Sequence, residues 1–120
     1  MEQYSAYKPF EDLPVNGQLT LSENLSDLAG LAAAYDAYKL KGGEKAATQE
    51  ADREFFTGYG RAWRTKMREA SLRRTVLTDG HAPAQYRTYT VRNLDAWYDA
   101  FGVKPGQKLY LAPQERVRVW

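Results

Sequence analysis

The sequence contains no cysteine and a single histidine, His81. Without thiols there is no disulfide framework, no thiolate zinc site and no Cys nucleophile. With one imidazole the chain cannot build a two-histidine metal site from its own residues. Zinc chemistry, if any, has to be shared with another polypeptide segment. No apolar run approaches the roughly 20 residues that a bilayer span needs, and the first residues, MEQYSAYKPFEDLPVNG, lack the basic start and apolar stretch of an export signal. A charge excess is missing too. The 17 Lys and Arg against 15 Asp and Glu leave a net charge of +2, which excludes a protein drawn to nucleic acid by its overall field. What is present is 120 residues, 43% hydrophobic and 13% aromatic, one domain's worth of chain and too apolar for disorder.

Pro9, Pro14 and the Asn16-Gly17 pair predict an extended arm over 1–19 that ends in a turn, with no helix. Leu21, Leu25, Leu28, Ala32 and Tyr35 then recur at spacings of four and three, predicting an amphipathic helix over 20–41. Thr20 and Glu23 have capping-box spacing, and Gly42-Gly43 marks the stop. Over 51–79, Phe55, Phe56, Tyr59, Ala62, Trp63, Met67 and Ala70 predict a helix running to Ala70 despite Gly58 and Gly60, whose retention implies a packing reason. Ser71 is placed to cap a second, shorter one closed by Asp79-Gly80. Residues 80–92 read as a loop with a short extended piece at Thr88–Val91. Asn93 is placed to cap a helix over 93–102 in which Leu94, Trp97, Tyr98 and Phe101 share a face, stopped by Gly102. The tail, 103–120, turns at Pro105-Gly106, and the alternation of Val117, Val119 and Trp120 predicts an extended arm.

Four residues carry candidate chemistry, each with a plainer alternative. Glu23 and Asp27 lie four apart, on one side of a helix, where like charges repel unless a cation or metal intervenes. They read either as a capping Glu followed by an exposed Asp, or as a zinc-ligating Glu with an Asp behind it that orients another ligand. His81 is either an idle loop imidazole or a donor to a developing oxyanion, and Arg87 either a surface charge or a guanidinium fork for a substrate carbonyl or carboxylate. Seven basic against three acidic residues between Ala51 and Arg74 read better as a solvated face than as a phosphate-contacting one. The small face of the first long helix, with Ala29, Gly30 and Ala32 to Ala34, suits close approach by another helix, since Gly30 costs stability unless its missing side chain is used.

The blocks VNGQLTLSENLSDLAGLAAAYDAY, REFFTGYGRAWRTKMRE, LTDGHAPAQYR, NLDAWYDAFGVKPGQKLY and ERVRVW, in this order, resemble the neprilysin-like zinc metallopeptidases from Val15 onward. The resemblance implies a mainly α fold, the helical C-terminal part of a thermolysin-like (gluzincin) peptidase catalytic domain. It maps the third zinc ligand of an ExxxD motif onto Glu23 and the carboxylate behind the metal site onto Asp27. The histidine that stabilises the transition state maps onto His81, and the substrate-binding arginine onto Arg87. The helix over 20–41 becomes the zinc-ligand helix, and 80–92 the substrate-binding loop. The HExxH helix, with two zinc ligands and the general base, lies upstream in the family, as does the Asn-Ala edge that pairs with substrate backbone. Neither motif occurs here. Animal members carry Cys where this chain has Arg64 and Val103, so the resemblance is to bacterial members.

The reading is therefore part of a zinc metalloendopeptidase, completed by the upstream part of the same enzyme and acting on peptide substrates. One zinc ion is shared with that upstream part, and the parent protein is expected to be exported. The isolated chain is expected to be inactive and prone to self-association through the small-residue helix face. The alternative is a self-standing helical interaction domain without catalysis.

Overall fold

Helix dominates residues 1–119, which a computed structural model describes. Among these residues no strand forms beyond one antiparallel bridge between Phe10 and Leu13. The chain is mainly helical, as expected.

The longest element, α2, spans Leu21–Gly42, and Gly43 beyond it takes a positive φ of 51°. That conformation favours glycine, so the Gly42-Gly43 stop stands. The start differs from the capping box. The Thr20 hydroxyl donates to the Asn16 carbonyl (3.0 Å) and accepts from Asn24 Nδ2 (2.9 Å), and it makes no cap bond to the helix backbone. Asn16 itself accepts from the Gln18 and Leu19 amides and makes the expected turn. Glu23 is thereby released from capping.

The arm is not wholly extended. Helix α1, Glu2–Ser5, turns Tyr4 and Tyr7 inward against Val15, Ala82 and Tyr86. Tyr7 stacks on Tyr86 with centroids 4.9 Å apart, so the arm is a support for the His81 segment. Aromatic packing of this kind, and not local periodicity, orders a four-residue helix too short to persist alone.

Helix α3, Gln49–Ala62, is capped by Thr48, which accepts from the Ala51 amide at 3.1 Å. It ends eight residues earlier than the periodicity predicts. Trp63 leaves the helix to lie against the Arg87 guanidinium, whose centre sits 3.9 Å from its ring. A non-helical stretch, 64–68, follows, and α4 spans Glu69–Thr78 with Arg68, not Ser71, at its N-cap. Gly58 and Gly60 face open space, so no close packing among the described residues explains them.

The segment 80–92 is helical where a loop with an extended piece is expected. Helix α5, Ala84–Thr88, runs into a 3₁₀ turn, Tyr89–Asn93. Pro83 starts it, and buried Tyr86, Thr90 and Val91 hold it. Helix α6, Asp95–Phe101, begins after Leu94 and stops at Gly102 in the left-handed region (φ 62°). Asn93 is not its cap. Its carboxamide oxygen accepts from Gln3 Nε2 and the Val117 amide, tying both ends of the chain together. Ala100, fully buried, enters the core beside Leu31, Phe56 and Val91, while Phe101 stands 41% exposed. Arg53 donates to the Ala100 carbonyl at 2.6 Å and joins α3 to α6. The tail forms a short 3₁₀ turn, Pro113–Glu115, and no strand. Arg116 lies over Tyr98 at 3.5 Å. The expectation at Trp120 lies outside the described residues.

Candidate active site

Asp27 lies one helical turn beyond Glu23 on α2, and α5 brings Arg87 against it from 60 residues away. Arg87 Nε donates to Asp27 Oδ2 at 2.7 Å and its Nη2 to Oδ1 at 2.6 Å, a two-point fork. Both side chains are largely covered, at 17% and 11% exposure. The Asp27 carboxylate holds the Arg87 guanidinium above its ordinary range, and Trp63 covers its face. From α3, the Tyr59 hydroxyl donates to the Arg87 carbonyl at 2.9 Å, and burial pushes that phenol up. Thus three helices fix one cation.

His81 sits at the other end of the cluster. Its Nε2 lies 3.1 Å from Glu23 Oε2 and its Nδ1 2.7 Å from Asp79 Oδ1, which also accepts the His81 amide at 2.9 Å. These bonds from His81 hold the Asp79 carboxyl below the usual range. Asp79 is the residue that sequence reading missed. It appeared there only as a helix stop, yet an Asp two residues before a loop His can bond both the backbone and the ring of that His. The imidazole is thereby fixed in orientation.

A cavity of about 550 Å³ opens beside this cluster. Its lining includes Arg87, His81 and Asp79 together with Trp63, Met67 and Leu72. Of the four predicted residues, His81 and Arg87 line this cavity, while Glu23 touches His81 and Asp27 touches Arg87. A shallower groove on α2, lined by Asp27, Gly30, Ala34, Phe55 and Tyr59, runs away from it. Nothing in the described chain approaches Gly30.

Among the described residues no three His, Cys, Asp or Glu side chains cluster to hold an ion. Glu23, 40% exposed and engaged only through one oxygen by His81, nevertheless suits a single ligand's share of a site whose other donors come from elsewhere. No helix among the described residues is long and apolar enough to cross a membrane.

The described residues thus bring together a carboxylate pair on α2, a histidine held by Asp79 and an arginine held by Asp27. Comparison with known proteins gives the family. The profile of Peptidase family M13 matches residues 1–117, and the chain belongs to that family. It is 37% identical over 108 residues to a neutral endopeptidase of Lactococcus lactis subsp. cremoris, covering 89% of this chain and 16% of that protein. To endothelin-converting enzyme 1 of Cavia porcellus it is 32% identical over 128 residues, covering 100% of this chain and 17% of the relative. Neprilysin-3 of Drosophila melanogaster is 31% identical over 131 residues, with 98% and 16% covered. The chain therefore spans about a sixth of the length of the curated relatives it matches. No solved structure matches it.

Proposed function

We propose that this chain is the part of a zinc metalloendopeptidase that completes the metal site and binds the peptide. The observation that carries this reading is that Glu23 meets His81 and Asp27 meets Arg87 beside the cavity that His81 and Arg87 line. Glu23 would be one protein ligand of the ion, and the upstream part of the same enzyme would supply the others. When bound, zinc supplies Lewis-acid polarisation of the scissile carbonyl and a lowered pKa for its water.

The chain's own residues do the rest. In its doubly protonated form His81, with Nδ1–H donated to Asp79, presents an Nε2–H to the carbonyl oxygen as negative charge develops there, an interaction strongest in the transition state. Arg87 keeps its guanidinium plane fixed by Asp27 and Trp63, with Nη1 available to a substrate carbonyl. Asp27 adds its charge beside the metal site and anchors Arg87 at once. The open groove along Gly30 and Ala34 fits the upstream part of the peptidase.

The test is steady-state kinetics and zinc content of the full-length enzyme that carries this chain. Glu23→Gln should lose both metal and activity. His81→Ala should lower kcat by roughly 100-fold or more with little change in KM. Arg87→Ala should raise KM, and Asp27→Ala should weaken metal affinity or activity by about 10- to 100-fold. Full zinc retention in Glu23→Gln, or intact kcat in His81→Ala, would overturn the assignment at that position.

A further inference from the structure

We infer that Tyr59, which does not line the cavity beside His81, is a positioning residue for substrate binding and acts through the main chain of Arg87. This inference rests on the peptidase reading above, in which Arg87 meets a substrate carbonyl, and adds a residue to it. Arg87 sits in α5, a five-residue helix too short to hold its own shape. Its amide donates to the Pro83 carbonyl at 3.2 Å, at the start of the same turn. Its carbonyl accepts from the Tyr59 hydroxyl at 2.9 Å, a bond that comes from α3, 28 residues away. The Asp27 fork takes the other end of the residue, the guanidinium, from α2.

Neither hold suffices alone. An arginine side chain turns about every bond between its Cα and its guanidinium, so a fork at the tip leaves the main chain free to swing, and a main-chain bond leaves the tip free. Here both ends are held, and by helices that pack on each other. Tyr35 of α2 stacks on Phe56 of α3 with centroids 5.4 Å apart, and its hydroxyl donates to Asp52 at 3.0 Å. Few conformations of Arg87 remain, and Nη1 stays where a substrate carbonyl meets it. Tyr59 suits the task because burial raises its phenol, which therefore keeps its proton and stays a donor at neutral pH. Its ring also meets that of Trp63 edge-on, centroids 6.4 Å apart. The end of α3 thus holds the main chain of Arg87 with one aromatic residue and the guanidinium face with another, four residues on. His81 is held separately, by Asp79.

The experiment is steady-state kinetics of the full-length enzyme that carries this chain, with Tyr59→Phe, which removes the hydroxyl and keeps the ring. KM should rise roughly two- to tenfold, the scale of one neutral hydrogen bond, while kcat stays within about twofold. In an Arg87→Ala background the same change should alter KM by less than about twofold, because its effect passes through Arg87. Tyr98→Phe, which removes a similar bond from α6 to the Arg92 carbonyl (2.7 Å), should leave KM as it is. An unchanged KM in Tyr59→Phe beside a raised KM in Arg87→Ala overturns the inference and leaves the peptidase reading standing. So does an effect that falls on kcat, that persists without the Arg87 side chain, or that Tyr98→Phe reproduces. An Arg87→Ala enzyme with an unaltered KM overturns the substrate role given to Arg87, and this inference with it.

Discussion

Removing either partner of the Asp27–Arg87 pair should destabilise the fold far more than removing a surface ion pair. Two unit charges about 4 Å apart attract by about 4 kcal/mol at an effective dielectric constant near 20, most of which offsets their desolvation. Neither side chain exceeds 17% exposure, and the cation is also covered by Trp63. Asp27→Ala therefore leaves a covered guanidinium without a counter-charge. Breaking a fully buried pair costs about 3–5 kcal/mol, and this partly wetted one should cost about 2–4 kcal/mol. Arg87→Ala should cost a similar amount, since it strands the carboxylate and removes the contact with Trp63. The double variant loses two charges that no longer need each other, so its cost should fall short of the sum of the single costs by about 1.5–3 kcal/mol. Urea unfolding of the four proteins at neutral pH measures the cycle, and added salt should change the coupling less than it would for an exposed pair because both side chains are largely covered. Single costs below about 0.5 kcal/mol that simply add would mean that the pair is a solvated contact. The geometry assigned to Arg87 would then be wrong.

Three other outcomes are expected. A Cβ at Gly17 would collide with the Met1 carbonyl and the Ser5 hydroxyl, so Gly17→Ala should cost about 1–3 kcal/mol and loosen the arm from Tyr86, seen as faster amide exchange over residues 1–15. Burial raises the phenols of Tyr4, Tyr7 and Tyr86 above their ordinary value of 10.0. Because the folded value exceeds the unfolded one, their contribution to stability is whole below pH 10 and drains away as pH climbs from there toward the raised values. Tyr4→Phe should thus lose stability at neutral pH, as the buried Thr90 hydroxyl loses its 2.9 Å partner, yet show a shallower alkaline decline in pH-dependent unfolding. The 120 residues alone should neither cleave peptides nor bind zinc tightly, because Glu23 is one ligand where catalytic zinc uses three. Micromolar or tighter zinc binding in calorimetry, abolished by Glu23→Gln, would refute this.

The sequence alone determined the elements whose reasons are local. Helix α2 follows from apolar spacing and ends at Gly43, where a positive φ is needed, and α6 ends at Gly102 for the same reason. The four candidate residues were legible through motif spacing and resemblance, though not what each one touches. Tertiary structure decided the rest. Helices α1 and α5 are too short for a period to show, and they exist because Tyr4, Tyr7 and Tyr86 find one another across about 80 residues. Helix α3 stops at Ala62, against its own periodicity, where Trp63 meets a cation carried by another helix. Thr20 and Asn93 look like caps, but a hydroxyl or carboxamide bonds whichever partner the fold brings near, and for Asn93 that means Gln3 and Val117. Asp27 and Arg87 are 60 residues apart, so no spacing rule could pair them. Their fork forms only when α2 and α5 meet, and it is that meeting that makes two surface-looking charges a covered pair.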